Sequence, residues 1–359
     1  MALQWTIIRW LMPRYRRHPL FYPAVAASTA LLSLGYLLEF ARVERRFSLG
    51  WATWLECAAL LEIGWLIGLF FALIAWRGAR NFEPRRRAFF RAAALAIGAG
   101  PLAATAFGLV ERSRFRLTEV KIPIPNLPRD LDGLRIVQVT DVHLSAFLSE
   151  REFARAIDMA NETRADLALM TGDLISRTGD PLDACLRQLA RLRATAGVLG
   201  CLGNHEVYTK TEDYVTTAGR SIGIDFLRQS SKVLRFGSAS INFAGVDYQS
   251  FQSPYLVGTD RLIVPGTLNV LLSHNPDVFP VAARQGFDLT VAGHTHGGQV
   301  NFEILRQDLN IARAYTPYVR GLYRADNSSV YVSAGLGTIG VPLRVGAPPE
   351  ISLLRLCAI

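Results

Sequence analysis

Residues 20–38 run for 19 positions without a charged side chain. At about 1.5 Å of rise per residue, a helix of that length crosses the roughly 30 Å of hydrocarbon in a bilayer. Backbone groups in hydrocarbon must be satisfied within the chain, so a run of this kind is constrained to be helical. Two further apolar runs follow, at about 51–76 and about 92–110. The second carries Glu56 and Glu62, read as carboxylates near a helix end or paired with a neighbouring helix, and the third is interrupted by Pro101. The sequence therefore predicts a membrane domain over residues 1–115 with about three transmembrane helices, an interfacial or buried hairpin being the alternative for the third run. Arg14, Arg16 and Arg17 precede the first run with no short apolar segment leading to a cleavage site, which fits an anchor better than a cleaved signal.

Charge separates the same region from the rest. The formal net charge is +9, but up to Lys121 there are 17 Lys/Arg against 7 Asp/Glu, and beyond it 22 against 23. All six tryptophans (Trp5, Trp10, Trp51, Trp54, Trp65, Trp76) also lie in the N-terminal third. Arginine and tryptophan around apolar runs mark a membrane–water boundary. The remainder has no basic excess to draw in nucleic acid, so a nucleic-acid partner is not expected. Arg9, Arg14, Arg16, Arg17, Arg77, Arg80, Arg85, Arg86 and Arg87 on one side oppose Arg42, Arg45, Arg46, Arg112, Arg114, Arg116 and Lys121 on the other. Nine against seven favours a cytoplasmic N-terminus, hence a multi-pass protein of the inner or plasma membrane with its C-terminal domain on the extracytoplasmic face.

After Lys121 the Pro-rich stretch "IPIPNLPRDLDG" reads as a connector, and the pattern then changes. Short aliphatic runs end in polar or glycine-rich turns: "LRIVQVTDVH", "ADLALMTGDL", "AGVLGCLGNHE", "SINFAGVDY", "LNVLLSHNP" and "FDLTVAGHTH". "SEREFARAIDMANET" and "DPLDACLRQLARL" have helical spacing between the early strands. Strands alternating with helices imply an α/β sheet whose functional residues gather at strand ends. The four cysteines form no CxxC pair. Neither a zinc ribbon nor a disulfide framework is indicated, and a Cys185–Cys201 bridge is left open against buried free thiols.

The chain has only six histidines, and His143, His205, His274, His294 and His296 each sit a few residues past a predicted strand. Asp141, Asp173 and Asn204 accompany them. Imidazole, carboxylate and amide oxygen together suit Mn, Fe or Zn, whereas calcium favours oxygen throughout and structural zinc favours thiolate. Seven or so ligands from this set exceed the needs of one ion, so two ions sharing a carboxylate are expected. In an extended chain, residues i and i+2 point the same way, which would let Asp141 and His143 reach one ion together.

The ordered series Asp141-x-His143, Gly172-Asp173, Gly203-Asn204-His205-Glu206, His274 and Gly293-His294-x-His296 resembles the calcineurin-like metallophosphoesterase family over about residues 130–300. The "GHTHGGQ" ending and the apolar N-terminal runs are similar to its membrane-associated bacterial branch of the YkuE and YaeI type. That resemblance implies an α/β fold over 116–359 with two facing mixed β-sheets flanked by helices, an αββα sandwich. It implies two divalent metal ions, one held by Asp141, His143 and His296 and the other by Asn204, His274 and His294, with Asp173 bridging. It also implies that His205 is catalytic, facing the phosphate rather than binding metal. Two cations that neutralise phosphate charge and acidify a bridging water give hydroxide for in-line attack on phosphorus. Glu206 is expected to orient His205 or cap the following turn, Asp247 to be structural, and Arg344 to be either an anion contact or a solvated arginine. Gly297 and Gly298 are expected to turn the chain sharply beneath the cluster.

The expected function is a membrane-anchored phosphohydrolase cleaving phosphoester or pyrophosphate bonds, with a lipid-linked phosphorylated substrate preferred. A nuclease of the same fold and a non-catalytic membrane receptor or transporter are the alternatives. Retention of all seven ligand positions weighs against the latter.

Overall fold

The computed structural model describes residues 2–41, 50–79, 83–250, 254–304 and 307–359. It divides into two compact units, Met1–Val110 with Gly340–Pro342, and Glu111–Ile339 with Leu343–Ile359.

The first unit holds helices α1 (Ala2–Tyr15), α2 (Phe21–Ala41), α3 (Gly50–Gly78) and α4 (Pro84–Glu111). By length and composition, Thr53–Gly78 and Pro84–Glu111 are each able to cross a membrane. The apolar stretch described in α2 is Phe21–Gly35, and the rest of the expected first run, to residue 38, lies outside the described side chains. Gly35 brings α2 close to α3, since a Cβ there would lie 2.5 Å from Ala59 Cβ. Helix α4 runs unbroken through Pro101, so the third apolar run is one helix rather than a hairpin, and it begins before the run does because arginines 85–87 are good helix formers.

The second unit is built from β1 (Arg116–Ile124), β2 (Arg135–Val139), α5 (Glu150–Glu162), β3 (Leu167–Met170), α6 (Leu182–Leu189), β4 (Val198–Gly200), α7 (Asn204–Thr209), α8 (Glu212–Ser221), β5 (Ile224–Phe226), β6 (Ser230–Phe236), β7 (Ala239–Gly245), β8 (Leu268–Leu272), α9 (Phe279–Gln285), β9 (Leu289–Ala292), β10 (Asn301–Ile304), β11 (Gln307–Asn310), β12 (Gly321–Ala325), β13 (Ser328–Val332) and β14 (Glu350–Ala358). One six-stranded sheet has the order β1, β14, β2, β3, β4, β5 and the other β12, β13, β9, β8, β7, β6. Strands β2 to β5 are parallel, as are β7, β8, β9 and β13, while β14 against β2, β6 against β7 and β12 against β13 are antiparallel.

Strand alternation sorts the core. Ile136, Leu167, Leu169 and Leu356 of one sheet meet Phe243, Val270, Leu272 and Val291 of the other in a single buried cluster. Their neighbours Val137, Val139, Ala168 and Met170 face the opposite way, onto Phe153, Ile157 and Leu189 of α5 and α6. Both faces of these strands are covered, which is why they read as continuous apolar runs. On the outer face of the second sheet, Ala244 and Leu271 pack with Val278 and Ala282. The result is helix, sheet, sheet, helix.

The Pro-rich connector needs correcting at its start. Ile122, Pro123 and Ile124 belong to β1 and pair with Leu356, Cys357 and Ala358. Pro123 is tolerated because β1 lies at the sheet edge, where a missing N–H breaks no ladder bond on the open side. All four cysteines are free, so Cys185 and Cys201 are unbridged.

Candidate metal centre

The parallel strands of both sheets deliver their following loops to one place. Asp141 and His143 follow β2, Asp173 follows β3, Asn204 opens α7 after β4, His274 follows β8, and His294 and His296 follow β9. Ligand-type atoms of Asp141, His143 and His296 lie within 4.8 Å of one another, as do those of Asp173, His274 and His294, and those of His143, Asp173 and His205.

Extended chain is not what achieves this. Asp141 (φ 50°), His143 (46°), Asp173 (58°), His294 (75°) and His296 (52°) all have left-handed backbone, so the alternation expected for Asp141 and His143 is replaced by tight turns past the strand ends. Such a conformation costs an ordinary residue about 1–2 kcal/mol. Five of them at one spot is strain stored where it positions side chains. Two glycines let the loops close in. A Cβ at Gly203 would lie 2.2 Å from Asp173 Oδ1, and one at Gly293 would lie 2.3 Å from Asp141 Oδ2. Gly297 and Gly298 take φ of 59° and 78°, the sharp turn expected beneath the cluster.

Hydrogen bonds then aim each group. The His205 amide donates to Asp173 Oδ1 at 2.9 Å, leaving Oδ2 to face His274 Nε2 at 3.1 Å and His143 Nε2 at 3.4 Å. The His294 amide donates to both oxygens of Asp141, at 3.0 and 3.1 Å. His274 Nδ1 is 2.7 Å from the Thr171 carbonyl, and His205 Nδ1 is 2.6 Å from that of Ser176. A carbonyl only accepts, so both Nδ1 atoms carry protons and both Nε2 atoms point elsewhere. His143 Nδ1 meets Ser176 Oγ at 3.1 Å.

Three donor atoms are left over. His143 Nε2, His274 Nε2 and Asn204 Oδ1 are buried without a hydrogen-bond partner, although the two imidazoles lie close to Asp173. Orphaned buried polar atoms are costly, and two imidazole nitrogens facing one carboxylate, with an amide oxygen also unpartnered, are accounted for by a ligand that accepts their lone pairs. The electrostatics agree. Burial alone would strip His274 of its proton, yet Asp173 and Asp141 hold its pKa up at about 10. Burial of Asp173, which would raise its pKa, is outweighed by His274 and His143, and the carboxyl sits well below the usual range. Burial raises Asp141. Burial pushes His205 down to about 4 and His294 to about 3, and lowers His296 as well. The point between the two carboxylates thus favours positive charge, and a divalent cation would compete there with the His274 proton. Mixed imidazole, carboxylate and amide donors fit a divalent transition metal.

The sequence pattern of the calcineurin-like phosphoesterase family matches residues 134–298. The chain is 30% identical over 281 residues to the uncharacterized metallophosphoesterase YkuE of Bacillus subtilis, an alignment spanning 76% of this chain and 97% of that protein. The chain belongs to the calcineurin-like metallophosphoesterase family. It is also 30% identical over 261 residues to a Danio rerio transmembrane protein with metallophosphoesterase domain, spanning 68% of this chain and 58% of that longer protein. Membership makes it a metal-dependent hydrolase of phosphoesters with a dinuclear divalent metal site.

Several supports of this phosphoesterase site were not legible as such in the sequence. Ser176 holds both His143 and His205, and is itself fixed by Asp180, whose Oδ2 accepts from the Ser176 and Arg177 amides at 3.0 and 2.8 Å. Glu206 orients Asp173 rather than His205: its carboxylate accepts from the amides of Asp173 (2.9 Å), Leu174 (2.8 Å) and Gly203 (2.7 Å), capping α7 in the process. Arg344 is neither solvated nor aimed at an anion. It is fully buried and donates to the carbonyls of Gly337, His296, Ala347 and Gly335, tying the His296 turn to the C-terminal loop. Asp247 pairs with Arg228 at 2.7 Å, a structural role, while the adjacent Tyr248 places its ring 5.7 Å from that of His294.

Proposed function

We propose that this chain is a membrane-anchored phosphohydrolase whose two divalent ions are held by Asp141, His143 and His296 on one side and Asn204, His274 and His294 on the other, with Asp173 between them. The approach of the His143 and His274 Nε2 atoms to Asp173, with Asn204 Oδ1 also buried and unpartnered, carries this reading. Manganese, iron or zinc suits the donors. Two such ions would supply neutralisation of the phosphoester's anionic oxygens and acidification of water.

The chain's own groups do the rest. His274, with its Nδ1 proton committed to Thr171, offers Nε2 to the cluster, and Asn204 offers Oδ1. His205 keeps its Nδ1 proton on the Ser176 carbonyl and is neutral at ordinary pH. To donate from Nε2 to a phosphate oxygen or to a departing alkoxide it must take up a second proton, and the charge of a bound phosphate favours that uptake. Burial of Asp141, His143, Asp173 and His274 keeps bulk water from competing.

Membrane anchoring is supported by the two apolar helices and by the relative described as a transmembrane protein. An anchored site concentrates on bilayer-borne substrate, so a lipid-linked phosphate or pyrophosphate is the preferred substrate class. A nuclease of the same fold would need a basic groove, and the 22 Lys/Arg against 23 Asp/Glu beyond Lys121 do not provide one. The test is hydrolysis of bis-p-nitrophenyl phosphate by the manganese-loaded chain. Asp173→Ala removes the group on which both histidines converge, and activity is expected to fall by at least about 10³-fold, the scale of losing a principal electrostatic group. Retained turnover in that variant would refute the mechanism.

A further inference from the structure

Tyr208 lies three residues after His205 on α7, and therefore on the same helix face. Its ring centroid is 5.5 Å from that of His205. From the other sheet, the loop after β7 presents Tyr248, whose ring is 5.7 Å from His294 and 6.2 Å from His274. Tyr208 and Tyr248 thus stand beside the histidines from two different elements. They form an aromatic wall running from His205 to His294 along one flank of the metal centre.

The wall is unevenly covered. Tyr248 is half-buried against the histidines, whereas Tyr208 is 65% exposed and the neighbouring Val207 is 40% exposed. An apolar ring left open to water beside a buried polar cluster is surface that gains by being covered. Its distance from His205 fits the group attached through the phosphoester oxygen rather than the phosphate itself. Tyrosine is also suited to this task, because it offers a flat face with few rotors to immobilise.

We infer that Tyr208 is the specificity-determining surface of the site and stacks against a planar unsaturated group, such as an aryl group or a nucleobase, carried on an ester oxygen of the substrate phosphate. This rests on the phosphohydrolase reading above and narrows its substrate class. Stacking involves no bond change, so it acts on binding of the ester and not on the protonation steps.

The experiment compares kcat/KM of the purified, manganese-loaded full chain for an aryl ester, bis-p-nitrophenyl phosphate, a nucleoside ester, thymidine p-nitrophenyl phosphate, and an alkyl ester, dimethyl phosphate with isotopic detection. Dividing variant by wild type for each substrate cancels the intrinsic reactivity of the leaving group. Tyr208→Ala is expected to lower the aryl-to-alkyl and nucleoside-to-alkyl ratios by about tenfold, mainly through KM, within the range of ring-stacking losses on alanine substitution. Tyr208→Phe, which keeps the face and loses the hydroxyl, should restore both ratios to within about twofold, since the stacking surface is retained. Equal loss on all three substrates, or no loss, overturns the inference while leaving the hydrolase intact. A wild-type chain that binds manganese and cleaves none of them overturns the parent reading and the inference with it. Bound manganese by elemental analysis in Tyr208→Ala reports whether the centre survives the change.

Discussion

At the scale of single residues, the centre depends on groups that touch no substrate. His143 can offer Nε2 only if Nδ1 is occupied, and its Nδ1 partner is Ser176 Oγ at 3.1 Å. His205, by contrast, uses the Ser176 main-chain carbonyl, which survives any side-chain change. Ser176→Ala should therefore loosen His143 selectively. Outer partners of a metal-binding histidine are commonly worth about 10- to 100-fold in metal affinity. Titration of the variant with manganese is expected to show a loss in that range, with melting temperature in chelator unchanged. Equal manganese affinity in the two proteins would show that Ser176 does not set the His143 tautomer. Nothing in the spacing of "GDLIS" announces this role. Asp141, His143, Asp173, Asn204 and the later histidines could be picked out because metal chemistry restricts donor types, and His205 through the family resemblance alone. Ser176 and Arg344 were not, because a hydroxyl or guanidinium that bonds backbone can stand at many positions.

At the scale of elements, α5 illustrates how local signals fix a boundary. Phe153, Ala156, Ile157 and Ala160 recur at helical spacing and are buried against the first sheet. Its start is set by a reciprocal cap: the Glu152 amide donates to Ser149 Oγ at 3.3 Å, and the Ser149 amide donates to Glu152 Oε2 at 2.9 Å. Burial, which would raise the Glu152 carboxyl, is outweighed by hydrogen bonds from Ser113 and Ser149, so its pKa lies below the ordinary 4.5. A carboxylate depressed in the folded state contributes stability above the unfolded value and loses it as pH falls through the folded one. Glu152→Gln should accordingly melt at a lower temperature than the wild type at pH 7, and the gap should close below pH 4.5. A gap that stays constant from pH 7 down to pH 3 would show that charge is not what Glu152 contributes. The strand elements were less transparent. In β1, Pro123 looked like a connector residue, and only pairing with β14 at an open sheet edge makes it a strand.

At the scale of the whole molecule, the proposed arrangement predicts sidedness. Ile359 is exposed, so a reporter fused after it need not disturb the fold. If the basic flanks set orientation as counted, a reporter that matures only outside the cytoplasm will be active at that end, and a cytoplasm-only fluorophore will be dark. The reverse pattern would place the catalytic unit inside. What the sequence determined by itself was whatever rests on local chemistry: helical apolar runs, strands ending in polar turns, and a donor set suited to divalent metal. Each follows from a residue and its near neighbours. Only the tertiary structure decided which strands fall in which of the two sheets, that β14 sits between β1 and β2, and that five of the seven ligand positions reach the cluster through left-handed turns. The reason is that these depend on pairings between residues far apart in the chain, where hydrogen-bond register and the close approach of Gly203 and Gly293 to the carboxylates set the outcome.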